Sequence, residues 1–148
     1  MKRILSIVIT AILAGAFAFA GLAPASASSE KGALHVTKEC SLFKGNPGEF
    51  CTITSSNLTM IPIGSRVIYL EAAGATGLDT DIVLDTGPGN KAFGHVVLNL
   101  ATGTGMVTFL GGTGQFRHFH AKAAVSFIGD DTHPDWAWDG TYHFNEVH

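Results

Sequence analysis

Three histidines and two cysteines carry the sharpest chemical potential in this 148-residue chain. His118 and His120 are spaced i, i+2, which on a strand puts both imidazoles on one face. His143, four residues after Asp139, would join them if the two segments pair, and such nitrogen donors suit zinc or copper. The alternation points to a plainer outcome. Phe119, Ala121, Ala123, Val125 and Phe127 make one face, leaving His118, His120, Lys122 and Ser126 on the other. Trp136, Trp138, Tyr142 and Phe144 likewise stand opposite Asp139, Thr141, His143 and Asn145. Solvated exterior histidines explain that pattern without a metal. The segment after His120, Ala121-Lys122-Ala123-Ala124-Val125, also lacks the glutamate that a His-x-His metal motif needs. No metal or cofactor is expected, with His118, His120 and His143 the residual candidates.

Cys40 and Cys51 flank Gly45-Asn46-Pro47-Gly48, turn residues that would bring the two thiols together. A disulfide is the expected reading, and a loop this short would add roughly 2.5–3 kcal/mol in the chain-entropy model. Zinc sites use a tighter Cys spacing. Asp130, Asp131 and Asp135 crowd one segment and Asp79, Asp81 and Asp85 another, without the spacing of a calcium loop, so both read as solvated acids. No Gly-x-Ser-x-Gly elbow is present, which leaves nucleophilic catalysis unsupported. Acid–base chemistry stays open through Asp81, His95 and Asn99, should they face an interior. Asn57-Leu58-Thr59 is a glycosylation sequon, of use only in a eukaryotic secretory route.

The first 27 residues read as a cleaved secretory signal. Lys2 and Arg3 precede an apolar run from Ile4 to Phe19, and Ala25-Ser26-Ala27 offers the cleavage site. The run is short of the roughly 20 residues that span a bilayer, so a stable membrane anchor is not expected. The mature chain, 28–148, is sized for one domain and is bound for an extracellular or periplasmic space, where disulfides form. Without Lys2 and Arg3, seven basic residues face 12 acidic ones, a net charge of −5 with histidine neutral. That balance argues against nucleic acid as a partner.

Elements that could position these groups are short, β-rich and separated by Gly, Pro, Asn and Asp. Eight runs are predicted as strands: Leu34–Ser41, Phe50–Asn57, Arg66–Glu71, Thr80–Asp85, Phe93–Leu100, Gly105–Leu110, Arg117–Ile128 and Trp136–Asn145. Their brief connections favour antiparallel neighbours. Eight antiparallel strands make a closed barrel or a two-sheet sandwich. Gly111-Gly112-Thr113-Gly114 reads as a tight turn rather than a phosphate cradle, which would need Gly-Lys-Ser/Thr and a following helix.

That turn, entered from Met106-Val-Thr-Phe-Leu and left through Gln115-Phe-Arg into an alternating strand, resembles the dirigent and allene oxide cyclase proteins. The resemblance spans about 93–144. It implies an all-β, eight-stranded antiparallel barrel of the calycin type, with the sandwich as alternative. It also implies an apolar lumen and assembly as a trimer. The families' catalytic Asp, Arg and Glu find no counterpart here, so no catalytic residue is assigned. The expected function is a secreted barrel that, without turnover, binds a small hydrophobic molecule or serves as a stable extracellular module, with ligand contacts expected at Phe119, Val125, Trp136, Trp138 and Phe144. The enzymatic alternative is a cyclase or isomerase that uses the lumen as a template, and a lumen filled by side chains would leave it no room.

Overall fold

The structure, a computed structural model, describes residues 30–146; the signal-peptide reading of 1–27 lies outside them. Eight strands form: β1 Lys31–Glu39, β2 Phe50–Ser56, β3 Arg66–Tyr69, β4 Gly77–Asp85, β5 Lys91–Asn99, β6 Thr104–Gly112, β7 Phe119–Phe127 and β8 Asp135–Phe144. Each pairs antiparallel with the next and β8 returns to β1, closing a barrel in chain order. Closure removes the free edges that an open sheet of these strands would expose. The barrel, not the sandwich, is the fold.

Side-chain alternation fills the interior. Leu34, Val36 and Lys38 point inward from β1, Leu78, Thr80, Ile82 and Leu84 from β4, and Phe119, Ala121, Ala123 and Val125 from β7. Small residues on one wall make room for large ones on another. Phe109 packs at 5.5 Å on Trp138 and at 6.1 Å on Phe119, which meets Phe116 edge-on at 5.3 Å. Such offset and edge contacts are the favoured aromatic geometries.

The two barrel ends differ. At one, the connections 57–65 and 113–118 fold over the opening: Ile61 and Phe116 are fully buried and Gln115 Nε2 donates to the Met60 carbonyl at 3.2 Å. At the other end lie the connections 40–49, 70–76, 100–103 and 128–134.

Several expectations need correction. The 111–114 turn is not a tight hairpin, because β6 runs on to Gly112 and a 3₁₀ turn, Gly114–Phe116, carries Phe116 into the core. Gly111 (φ 124°) and Gly114 (φ 57°) do take the positive angles that glycine permits. β1 starts at Lys31, three residues before the predicted Leu34, and Lys31 pairs with His143 of β8. β4 starts at Gly77, three residues early. Phe127, placed on the apolar face of β7, is 40% exposed because it stands at the strand's end, beyond the core.

Candidate functional site

Lys38 is a charge-bearing side chain buried inside the barrel. Leu34, Val36, Lys38 and Cys40 alternate along β1 and its continuation, so the pleat sends the lysine into the lumen with the apolar residues. It is 1% exposed. Its Nζ donates to the Tyr69 hydroxyl and lies 4.9 Å from the Trp138 ring centre and 5.1 Å from that of Tyr69. Among the described residues no carboxylate pairs with it. Burial away from water disfavours the ammonium and pulls the Lys38 pKa down to about 7. Burial acts the opposite way on Tyr69, raising its pKa and keeping the phenol protonated. The Tyr69 hydroxyl reaches on to the disulfide, donating to Cys51 Sγ at 3.4 Å. The Trp138 indole N–H, in the same lumen, has no acceptor.

Cys40 and Cys51 form a disulfide with their Cα atoms 4.3 Å apart. The loop it closes is shaped by Gly45 and Gly48, at φ 93° and 84°, and by the Glu49 carboxylate. Glu49 accepts from the backbone N–H of Lys44 and Asn46 and from the Asn46 amide, bonds that hold its pKa below the usual range. The loop sets Phe43 against Tyr69, ring centres 4.3 Å apart. A cavity of about 50 Å³ remains between Lys38, Tyr69, Phe43, Leu98 and Trp136. Outside it lies an open cleft of about 650 Å³, walled by the 43–46 and 72–74 segments, Phe127 and Pro134. Cys40, Phe43, Leu100 and Trp136 border both spaces, so only these side chains stand between the cleft and the cavity beside the amine.

The expected ligand contacts are distributed unevenly. Trp136 lines the mouth, whereas Phe119, Val125 and Trp138 are packing elements of the filled lumen. Phe144 packs on Phe119 at 5.4 Å toward the sealed end. The acid–base candidates face outward, correcting their placement in an interior. His95 sits on the outer face with Nδ1 2.8 Å from Asp81 and Nε2 2.7 Å from Asp79, bonds that raise its pKa, Asp81 first. Asn99 Oδ1 accepts from the backbone N–H of Ala101 and Thr102 and holds a turn.

The histidine arrangement also differs from the spacing argument. His118 precedes β7 at φ 64°, which breaks the strand alternation that would align it with His120. His120 and His143 are cross-strand partners, rings stacked 5.2 Å apart, and His120 Nε2 meets the Asn145 amide at 2.8 Å. Asp139 instead accepts from His35 Nδ1 at 2.7 Å. Among the described residues no three metal-ligating side chains gather. Asp130 shapes its own turn by accepting from Thr132 and from the backbone of residues 132 and 133, which takes its pKa down to about 2. The Asn57 amide is engaged at both ends, with the His35 N–H and the Ala33 carbonyl.

The alternation that names Leu34 and Val36 as core names Lys38 as well. That signal was legible, and reading charged residues as surface residues hid it.

No family model and no curated protein matches the chain. Among solved structures it is similar to a pterocarpan synthase dirigent protein, at 13% identity and a TM-score of 0.50, over 88% of this chain and 100% of that one. The likeness is one of architecture: this chain has an eight-stranded dirigent-like β-barrel fold.

Proposed function

We propose that this chain is an exported, disulfide-bonded, dirigent-like barrel that holds a small apolar molecule at its mouth as a binding module, without turnover. One observation carries the reading. The barrel is sealed at the Ile61–Phe116 end, while the other end keeps a small cavity that shares the walls Cys40, Phe43, Leu100 and Trp136 with an open cleft. Concave, mostly apolar spaces with one or two inward polar groups are the usual form of small-molecule sites. Phe43, Leu100 and Trp136 supply the apolar walls, and Lys38 and Tyr69 the polar floor. A template cyclase or isomerase would need a chamber the size of its substrate, and Phe109, Phe116, Phe119 and Trp138 fill that volume. Export is supported by the signal-like first 27 residues and by the disulfide. Self-association, which the resemblance would make a trimer, is supported by Leu70, Phe93, Val97 and Leu110, 47–72% exposed on the outer wall.

The test is a titration of the purified exported protein with N-phenyl-1-naphthylamine, a neutral dye that brightens in apolar surroundings. Saturable brightening is expected in the wild type. Leu100→Lys changes a residue 39% exposed in the barrel and puts a charge at the mouth, so affinity should fall at least about tenfold. Absent brightening, or equal affinity in the variant, would overturn the proposal.

A further inference from the structure

Resting on that reading of the mouth, the geometry points to a covalent use of it: we infer that Lys38 is a nucleophilic amine that condenses reversibly with an apolar aldehyde seated in the cleft. Among the described residues the amine has no carboxylate to hold it as an ammonium, and it borders the small cavity that shares the walls Cys40, Phe43, Leu100 and Trp136 with the cleft. Lysines become nucleophiles when desolvated in apolar pockets. The cavity beside Nζ, about 50 Å³, takes a carbonyl end group and no more, while the cleft of about 650 Å³ takes an apolar body behind it. A ligand therefore enters end-on, with its reactive carbon toward the lysine.

Tyr69 supplies the proton relay. It is within hydrogen-bond contact of Nζ and stays protonated because burial raises its pKa. The Lys38 lone pair attacks the carbonyl carbon, a C–N bond forms, and the C=O π pair moves to oxygen, which takes the Tyr69 proton. The nitrogen, now cationic, returns a proton to the Tyr69 oxygen. The carbinolamine C–O bond then breaks, oxygen leaves as water after a second protonation through Tyr69, and nitrogen gives up its remaining proton as C=N forms. The net change is aldehyde plus amine to imine plus water, with no oxidant or reductant consumed. Neither the anchor nor the relay is reachable from the sealed end.

Selectivity makes the inference testable. Lys31, Lys44, Lys91 and Lys122 are the other lysines of the exported chain, and a reagent that follows exposure alone would modify them before a lysine that is 1% exposed. The protein is incubated at neutral pH with cinnamaldehyde and sodium cyanoborohydride, then examined by intact-mass and peptide-mapping mass spectrometry. The expected result is one adduct, heavier by the aldehyde less one oxygen, on Lys38, formed at least about tenfold faster than on any exposed lysine. Lys38→Met should abolish that adduct, and Tyr69→Phe should slow it at least about tenfold while the variant still binds cinnamyl alcohol. Cinnamyl alcohol, which has the same body and no carbonyl, separates the two readings. Alcohol binding at the mouth with no Lys38 adduct overturns the covalent inference and leaves the binding reading standing. No binding and no adduct overturns both, and modification spread over the exposed lysines overturns the covalent inference alone.

Discussion

Replacing Lys38 with Met should remove a rise of stability with pH that the wild-type protein shows above neutral pH. The folded pKa of Lys38, about 7, lies below its ordinary value of 10.5, so unfolding takes up a proton at any pH between the two. Stability therefore increases with pH across that window. The penalty is fully present below about 7 and is gone above 10.5. Integrating between those values puts the lysine's cost at about 4 kcal/mol at pH 7. Two contacts offset part of it: the bond to Tyr69, worth about 1–3 kcal/mol, and the Trp138 ring face, about 2 kcal/mol when desolvated. Met keeps the packing and loses both contacts, but the Tyr69 hydroxyl retains Cys51 Sγ as acceptor. The net change at pH 7 is then within about 1 kcal/mol of zero. The pH dependence is the sharper readout, because groups common to both proteins cancel in the difference. From pH 7.5 to 9.5 the stability of Lys38→Met relative to the wild type should fall by about 2–3 kcal/mol. Urea unfolding of both proteins at four or five pH values measures it directly. Parallel stability curves would refute the reasoning, since they would mean that Lys38 titrates alike in the folded and unfolded chain.

Breaking the disulfide with Cys40→Ser and Cys51→Ser should cost about 2–5 kcal/mol by denaturant unfolding while far-UV circular dichroism keeps its β signature, because no barrel ladder crosses that bond. Gly140→Ala should destabilise by about 1–3 kcal/mol although alanine is no worse a strand residue, because its Cβ would sit 2.5 Å from Ala123 Cα and against the Lys122 carbonyl. A variant of unchanged melting temperature would show that β7 and β8 are less closely set. His95 should titrate above its ordinary 6.5, and Asp81→Asn should bring the midpoint down, as followed by NMR of the ring protons. Any stability this group contributes is present below 6.5 and lost as the pH rises through its raised folded value.

The barrel was legible in the sequence because period-2 alternation and glycine-rich turns are local signals that tertiary contacts here reinforce. Phe119, Val125 and Trp138 point inward as their alternation requires. The failures sit where a local rule was interrupted. His118 breaks the pleat with φ 64°, so i, i+2 spacing no longer meant a shared face. The 3₁₀ turn at Gly114–Phe116 buries Phe116 by packing on β5, a strand distant in sequence, which no window around the glycines reports. His95 alternates with Phe93 and Val97, an apolar frame that suggests an interior, yet all three lie on the outer wall because the inward set of β5 is Ala92, Val96 and Leu98. Strand β5 is apolar on both faces, and its alternation alone could not choose between them. The mouth itself needed the closed fold, since Lys38, Tyr69, Leu98 and Trp136 come from four different strands.

Binding of a small apolar molecule at the mouth above Lys38 is open to a direct measurement: amide and methyl NMR shifts of the isotopically labelled protein, recorded while cinnamyl alcohol is added. Saturable shifts are expected at Phe43, Leu98, Leu100 and Trp136, with the sealed end around Ile61 and Phe116 unmoved. Shifts centred on the outer wall at Leu70, Phe93 and Leu110, or none that saturate, would contradict it.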